Sequence, residues 1–436
     1  MSFITWCRKN AATGGIAGLV LATSAVAPLG TARTQAATPK APVTITYWSQ
    51  NIPLPKGEIP AFERTHPDIK INEVVVTNYN VKVRTTLKAG GSGAPDALQL
   101  QYNEVPSYLI SGKLLDLSAY AANNLKDTYV PWVWGQVSRG SHVYGIPIDS
   151  GPMAMLYRKD IFDKYHLSVP TTWAAYAREA ATLHQANPKI YLGNSPVEEG
   201  TFEPMLWQAG ARPFTVNGST LSINWTSPAA EKVANFWDPL IARKVIDTVT
   251  AYTPAWYAGL DSGRWATWIA AAWGPLILEP VAKKSVGQWR VAPLPQWAAG
   301  AHASANNGGS TAAVTTYSAH PKEAATWVEW LGGSQQSQLI NLQSSIFPTL
   351  KSVLTSKALT APEPFFGGQA ANAVFAQASK GVDTSWQWSP FDDYVSSQLG
   401  TALTAAESGK GTFAQALQKV QGTIVAYAKG QGFTVQ

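Results

Sequence analysis

The sequence predicts an α/β protein whose ordered part begins near residue 43. Two observations carry this. Strand-like and helix-like segments alternate three times between residues 43 and 110, and apolar residues make up 45% of the 436. That composition suffices for a large core with helices covering a sheet. Alternation of this kind implies parallel strands, since a parallel pair needs a long crossover connection.

Each element has its own signal. Residues 43–48 alternate and are β-branched, a first strand. Residues 58–66 fit a helix ended by Pro67, and 69–76 fit a second strand. Residues 81–89 are helical and close on Gly90-Gly91-Ser92-Gly93; 96–100 form a short apolar strand and 105–110 a helix. Further on, 153–157 reads as a strand and 172–185 as a long helix with Thr172 as N-cap. Ser227-Pro228 opens another helix, with serine as cap and proline at the first helical position. Residues 289–291 and 312–316 are strand candidates, and Ala324, Trp327, Val328 and Leu331 share a helical face. Phe413, Leu417, Val420, Ile424 and Tyr427 repeat at four-three spacing, which gives a docked C-terminal helix too short for a coiled coil.

The first 37 residues read as an address. Arg8 and Lys9 precede an apolar, small-residue run from Ala11 to Leu29, and small residues follow at Ala36 and Ala37. That order is the secretory signal pattern, with 38–42 as a linker. Gly14, Gly15, Gly18, Pro28 and Gly30 make the run a weak membrane span. The single cysteine, Cys7, lies before the apolar run, where a lipid-anchor cysteine does not sit, and a disulfide scaffold is excluded. The net charge of +6 includes Arg8, Lys9 and Arg33, so cleavage leaves +3. A near-neutral chain without a dense Lys/Arg cluster gives no support to nucleic-acid binding.

Catalytic and cofactor motifs are missing. The six histidines (His66, His142, His166, His184, His302, His320) are scattered without an i, i+4 metal pair. Neither a G-x-S-x-G elbow nor a G-x-x-x-x-G-K-[ST] phosphate loop occurs. No cofactor or metal is expected. Glycoside hydrolysis needs only two opposed carboxylates, and Glu198-Glu199 and Asp392-Asp393 are the obvious pairs. Neighbouring residues point apart, so a solvated edge or a helix start is the blander reading of each. Charged residues are only 14% while tryptophan numbers 18, a balance suited to a neutral, ring-shaped ligand or to a tryptophan-rich core.

Five blocks, in order over about 300 residues, resemble the sugar-binding family of extracellular solute-binding proteins of ABC importers (family 1, maltose-binding-protein-like). They are Phe62-Glu63-Arg64-Thr65-His66-Pro67-Asp68-Ile69 and Ala94-Pro95-Asp96-Ala97 with Gly112-Lys113-Leu114-Leu115-Asp116-Leu117. The most specific runs from Tyr144-Gly145-Ile146-Pro147-Ile148-Asp149 through Leu156-Tyr157-Arg158-Lys159-Asp160 to Pro170-Thr171-Thr172-Trp173. Gly263-Arg264-Trp265-Ala266 with Trp273 follows, then Ala292-Pro293-Leu294-Pro295 with Gly308-Gly309 and Pro321-Lys322-Glu323-Ala324-Ala325. Arg158 and Arg264-Trp265 depart from the family's usual residues, and its lipidated cysteine is missing.

The resemblance implies a two-lobed, periplasmic-binding-protein-like fold (type II) with a ligand cleft between the lobes. The lobes are expected at 41–149 plus 305–350 and at 150–304 plus 351–436. It further implies a non-enzymatic, exported, monomeric binding component that captures a mono- or oligosaccharide by hinge closure and delivers it to membrane permease subunits. A sugar needs aromatic surfaces for its C–H faces and planar amides or carboxylates for its hydroxyls. Carried over by position, the ligand residues are Trp48 and Gln50 at the first strand's exit, and Gln101, Tyr102 and Asn103 at the third's. Asp149 stands at the lobe crossover and Glu199 in a ligand segment. Trp273 is the stacking tryptophan, and Gly309 allows close backbone approach. Packing alternatives stand beside them: Trp48 and Trp273 in the core, Asp149 capping a turn, Glu199 exposed. Trp386 and Trp388 either share a cleft face or pack the hinge. Rival readings keep the fold for a polyol, glycerol phosphate or polyamine, with Arg158 and Arg264 leaving an anion open, or make the protein a secreted carbohydrate-active hydrolase.

Overall fold

The computed structural model describes residues 41–436, except Ala121 and Glu199. The expected leader, most of the linker and Glu199 lie outside the described residues. Residues 42–436 pack as one unit, to which the following applies.

β1 (Val43–Gln50) buries Ile45 and Tyr47 completely, as its alternation requires. α1 (Glu58–Thr65) packs Phe62 against Trp327, with ring centroids 4.9 Å apart. It ends one residue before the expected bound, with His66 as the C-cap ahead of Pro67. β2 (Ile69–Val76) pairs in parallel with β1 over its whole length, from Val43 opposite Ile69 to Gln50 opposite Val76. α2 (Tyr79–Lys88) starts two residues earlier than the sequence pattern suggests, because Asn78 takes the left-handed conformation and Tyr79 turns into the core. There its hydroxyl donates to the main-chain carbonyls of Trp48 and Gln99. β3 (Ala97–Gln101) also pairs in parallel with β1, and α3 (Val105–Ile110) follows it.

The expectation of a parallel sheet holds for these three strands and fails beyond them. Ser310–Val314 runs antiparallel to β3, and the short strand Ile146–Pro147 runs antiparallel to it in turn, completing five strands. A second sheet of three antiparallel strands places Met153–Arg158 between Thr267–Ala271 and Trp289–Pro293. The Thr267–Ala271 strand is buried along its whole length, so it has no polar alternation to announce it.

The chain therefore passes from the first sheet to the second after Ile146–Pro147 and returns before Ser310–Val314. The two passing segments are bonded to each other. Asn307 N donates to Gly151 O at 2.9 Å, Gly151 N to Asn306 Oδ1 at 2.9 Å, and Met153 N to Ala305 O at 3.0 Å. The C-terminal helix, Phe413–Gly430, starts at a Thr412/Gln415 capping box and packs on the helix Asp392–Glu407. Tyr394 and Tyr427 stack there at 3.8 Å. Most tryptophans are core: Trp173, Trp207, Trp225, Trp237, Trp256, Trp265, Trp268, Trp289 and Trp327 are fully buried.

Candidate functional site

A cavity of about 560 Å³ opens where the carboxyl ends of β1 and β3 meet the two passing segments. Strand carboxyl ends are where open α/β sheets hold ligands. Gln50 leaves the end of β1 into this cavity, followed by Asn51 and Ile52. Gln99, Gln101 and Asn103 line it from β3 and the turn after it. Glu203, Pro204, Trp273, Trp388 and Ser396 come from the other side of the passing segments, and Asn307 to Ser310 from the returning segment itself.

A hydrogen-bonded relay fixes the floor. Ser310 donates both its amide N–H, at 2.9 Å, and its hydroxyl to the Asp149 carboxylate. The Ser310 hydroxyl accepts from Gln99 Nε2 at 2.9 Å, and Gln99 Oε1 accepts from Gln50 N at 3.1 Å. Desolvation pushes the Asp149 carboxyl up to about 6, against the pull of its two Ser310 bonds. Desolvation also raises Glu203, and the neighbouring Asp392 charge raises it further.

Trp273 stands just ahead of the helix Gly274–Val281, half-buried. Its Nε1–H donates to Asn307 O at 2.8 Å, which holds the indole edge against the returning segment. Gly309 has φ +81°, and a Cβ there would lie 2.6 Å from the Tyr102 ring, so only glycine fits. At the edge of the cavity, Asn103 Nδ2 donates to Asp392 Oδ2 at 2.7 Å.

Of the residues expected from sequence, Gln50, Gln101, Asn103, Asp149, Trp273 and Gly309 meet at this one cavity. Trp48 and Tyr102 do not line it. Trp48 is 6% exposed and packs with Val76, Tyr79 and Val83, because α2 covers that face of β1. Tyr102 is fully buried, and its hydroxyl donates to Asp149 O at 2.7 Å, so it buttresses the floor from behind. Trp386 and Trp388 pack edge to face at 5.5 Å, with only Trp388 reaching the cavity and Trp386 stacked on Trp207 at 4.9 Å. Gln99, Glu203, Asn307 and Ser310 were not expected. Gln99 and Ser310 meet across 211 residues of chain, which no local pattern signals.

The two departing arginines are occupied elsewhere. Arg158 forms a two-pronged pair with Asp160 at 2.6 and 2.8 Å. Arg264 Nε donates to Asp247 at 2.5 Å, a carboxylate that also accepts from Trp265 Nε1. The Asp392-Asp393 pair sits at a helix start, with Asp392 buried and Asp393 paired to Arg84. Among the described residues, no cluster of His, Cys, Asp and Glu is arranged to hold a metal ion.

The family model for bacterial extracellular solute-binding proteins matches residues 48–338. The chain belongs to that family. Among the relatives of this solute-binding protein is a probable ABC transporter-binding protein of Deinococcus radiodurans, 27% identical over 79% of this chain and 82% of its own. A lactose-binding protein of Rhizobium radiobacter is 24% identical over 77% and 81%. Among solved structures, the ABC transporter-associated binding protein of B. animalis subsp. lactis, in complex with β-1,6-galactobiose, superposes with a TM-score of 0.80. It is 31% identical and covers 91% of this chain and 100% of its own. The galacto-N-biose/lacto-N-biose I-binding protein of Bifidobacterium longum gives 0.81 at 26% identity, with the same coverage. The solute-binding protein thus has the two-lobed type II architecture, with a cleft between the lobes.

Proposed function

We propose that this solute-binding protein captures an oligosaccharide and delivers it to the permease subunits of an ABC importer, whose ATPases are separate chains. The observation that carries the reading is the cavity wall. It sets the indoles of Trp273 and Trp388 among the side-chain amides of Gln50, Asn51, Gln99, Gln101, Asn103 and Asn307, with the carboxyls of Asp149 and Glu203, and among the described residues no lysine or arginine lines it. Indoles suit sugar C–H faces and amides suit hydroxyls, whereas a phosphate ester would want cations. Galactobiose, lacto-N-biose and lactose, taken from relatives that carry or are named for them, set the first ligands to try.

Binding without turnover fits the Asp149 carboxyl, which holds two Ser310 hydrogen bonds and so anchors rather than shuttles protons. Membership of an extracellular family accords with export by the leader at 1–37. The hinge would be the paired segments around Gly151 and Asn307, with lobes at 41–149 plus 305–350 and 150–304 plus 351–436.

The test is a thermal-shift panel of β-1,6-galactobiose, lacto-N-biose, lactose and maltose, with spermidine and glycerol 3-phosphate beside them. A ligand at one hundred times its Kd stabilises the native state by about 2.7 kcal/mol. Silence with every saccharide and a shift with spermidine or the phosphate ester would overturn the sugar reading. Release of monosaccharide from a bound disaccharide would overturn the absence of turnover.

A further inference from the structure

A second cavity, of about 420 Å³, shares one lining residue with the first, Trp388. Its walls are largely apolar. Leu109 and Ile110 come from α3, Val216 from the hairpin 214–223, and Trp386 and Pro390 from the segment before the helix Asp392–Glu407. Ile110 is 55% exposed, a large apolar side chain left uncovered among the described residues. Arg139 is the one charged residue in this lining, and among the described residues no aspartate or glutamate joins it. The first cavity is the reverse, with Asp149 and Glu203 and no cation. Desolvation pulls the half-buried Arg139 guanidinium below its usual pKa, and only Tyr144 opposes it. Its Nη1 donates to the main-chain carbonyls of Gly135 at 3.1 Å and Ser138 at 2.7 Å. Nε and Nη2 have no partner among the described residues. Elsewhere in the chain the same two nitrogens grip carboxylates: Arg158 holds both oxygens of Asp160, and Arg264 both of Asp247.

We propose that this second cavity binds a small carboxylate with a flat apolar body, the carboxylate on the Nε and Nη2 of Arg139 and the body against the apolar wall. The site is separate from the sugar cavity and does not depend on the sugar reading. A guanidinium offers two parallel N–H donors that match the two oxygens of a carboxylate. A cation drawn partly out of water without a counter-charge is costly, and an anion of its own size relieves that cost. One guanidinium balances one carboxylate, whereas a phosphate dianion would keep half its charge unmatched. A neutral sugar would leave the fork without an anion altogether. The walls select for the rest of the molecule: Ile110 and Leu109 gain cover from an apolar body, and the Trp386 and Trp388 indoles suit a flat one. A cavity of this volume, mostly apolar with a few placed polar groups, has the make-up of a small-molecule site.

The experiment titrates the full protein calorimetrically with phenylacetate, phenylacetamide and acetate. Phenylacetamide keeps the ring and removes the charge; acetate keeps the charge and removes the ring. Phenylacetate is expected to bind about tenfold or more tighter than either. Arg139→Met keeps the apolar stem, removes the fork and should abolish the preference for phenylacetate over the amide. Ile110→Glu sets a carboxylate beside the cavity from an exposed position, which guards against a folding defect in the first variant. It should weaken phenylacetate about tenfold while holding the amide within about threefold. No binding of phenylacetate up to about 10 mM, equal affinity for phenylacetate and its amide, or unchanged phenylacetate affinity in both variants overturns the site. Full displacement of phenylacetate by a saccharide that shifts Tm in the panel above would put the anion in the first cavity and overturn it too. The comparison of the three probes holds whether or not any saccharide binds, so the sugar reading can fail while this site stands.

Discussion

Replacing Gly309 with alanine puts the most stringent demand on the site's construction. The substitution adds one methyl group at φ +81°, and that methyl would stand 2.6 and 3.0 Å from two Tyr102 ring carbons and 3.2 Å from Ser150 Cα. Holding a non-glycine residue in the left-handed region costs about 1–2 kcal/mol. Overpacking a filled interior costs about 1–3 kcal/mol more, and Tyr102 cannot retreat, being fully buried with its hydroxyl on Asp149 O. A total near 2–5 kcal/mol follows. Gly218→Ala separates the two contributions. Gly218 has φ +58° with open space around its Cβ position, so its alanine variant should lose only the backbone part, about 1–2 kcal/mol.

Urea unfolding of both variants against the wild type gives the two differences. Calorimetric titration then tests the site, because a displaced Tyr102 shifts Asp149 and Ser310 and should weaken ligand binding well beyond the Gly218 variant. Equal destabilisation of the two variants, or full ligand affinity in Gly309→Ala, would refute the claim that Tyr102 and Gly309 together set the floor.

Three further outcomes follow from other contacts. Trp273→Ala should weaken saccharide binding about tenfold or more while lowering Tm only modestly, since the ring is half-buried, with one hydrogen bond to Asn307 O and an edge contact to Trp268; a collapse of Tm would instead place the indole in the core. Arg158→Met should lower stability by only about 1 kcal/mol through loss of the two-pronged pair with the partly exposed Asp160, and leave ligand affinity alone; weakened binding of an anionic ligand would contradict the site's composition. Burial pushes the Glu58 carboxyl up to about 8, against a Ser337 hydrogen bond at 3.0 Å, so the folded state retains a proton that the unfolded chain loses near pH 4. Stability should therefore fall as pH rises from about 5 to 8, and Glu58→Gln should make that decline shallower in a Tm-versus-pH series; an unchanged slope would sink the assignment.

What could be read from the sequence follows from how local each signal is. β1 to α3 were legible because strand alternation, helix stripes and the Pro67 and Gly90–Gly93 stops all act within a few residues. Gln50, Gln101 and Asn103 could be found because they lie at strand carboxyl ends, and a parallel sheet makes that position meaningful. The same rule misplaced Trp48, two residues back on the same strand, because it says nothing about the helix that covers Trp48. It misplaced Tyr102 because one step along the chain turns a side chain from cavity to core. Gln99, Ser310 and Glu203 had no signal at all. The pairing that joins Gln99 to Ser310 exists only after the chain has made the second sheet and come back.

That return also gives the proposed binding a route to lobe closure. The relay from Gln50 through Gln99 and Ser310 to Asp149 belongs to the first sheet and to the segments that leave and rejoin it. Trp273, Glu203 and Trp388 come from beyond those segments. A sugar held by the amides alone would have one face uncovered, and one held by the indoles alone would leave its hydroxyls facing unfilled acceptors. On the proposed function, face and hydroxyls are satisfied together only with both sets around the sugar, which is the condition under which a ligand would bind a closed arrangement better than an open one. The shift it produces equals that difference in affinity and no more. Indole and amide contacts each worth about 1 kcal/mol move the equilibrium roughly fivefold apiece, so several must act at once, and the lining supplies them from both sides.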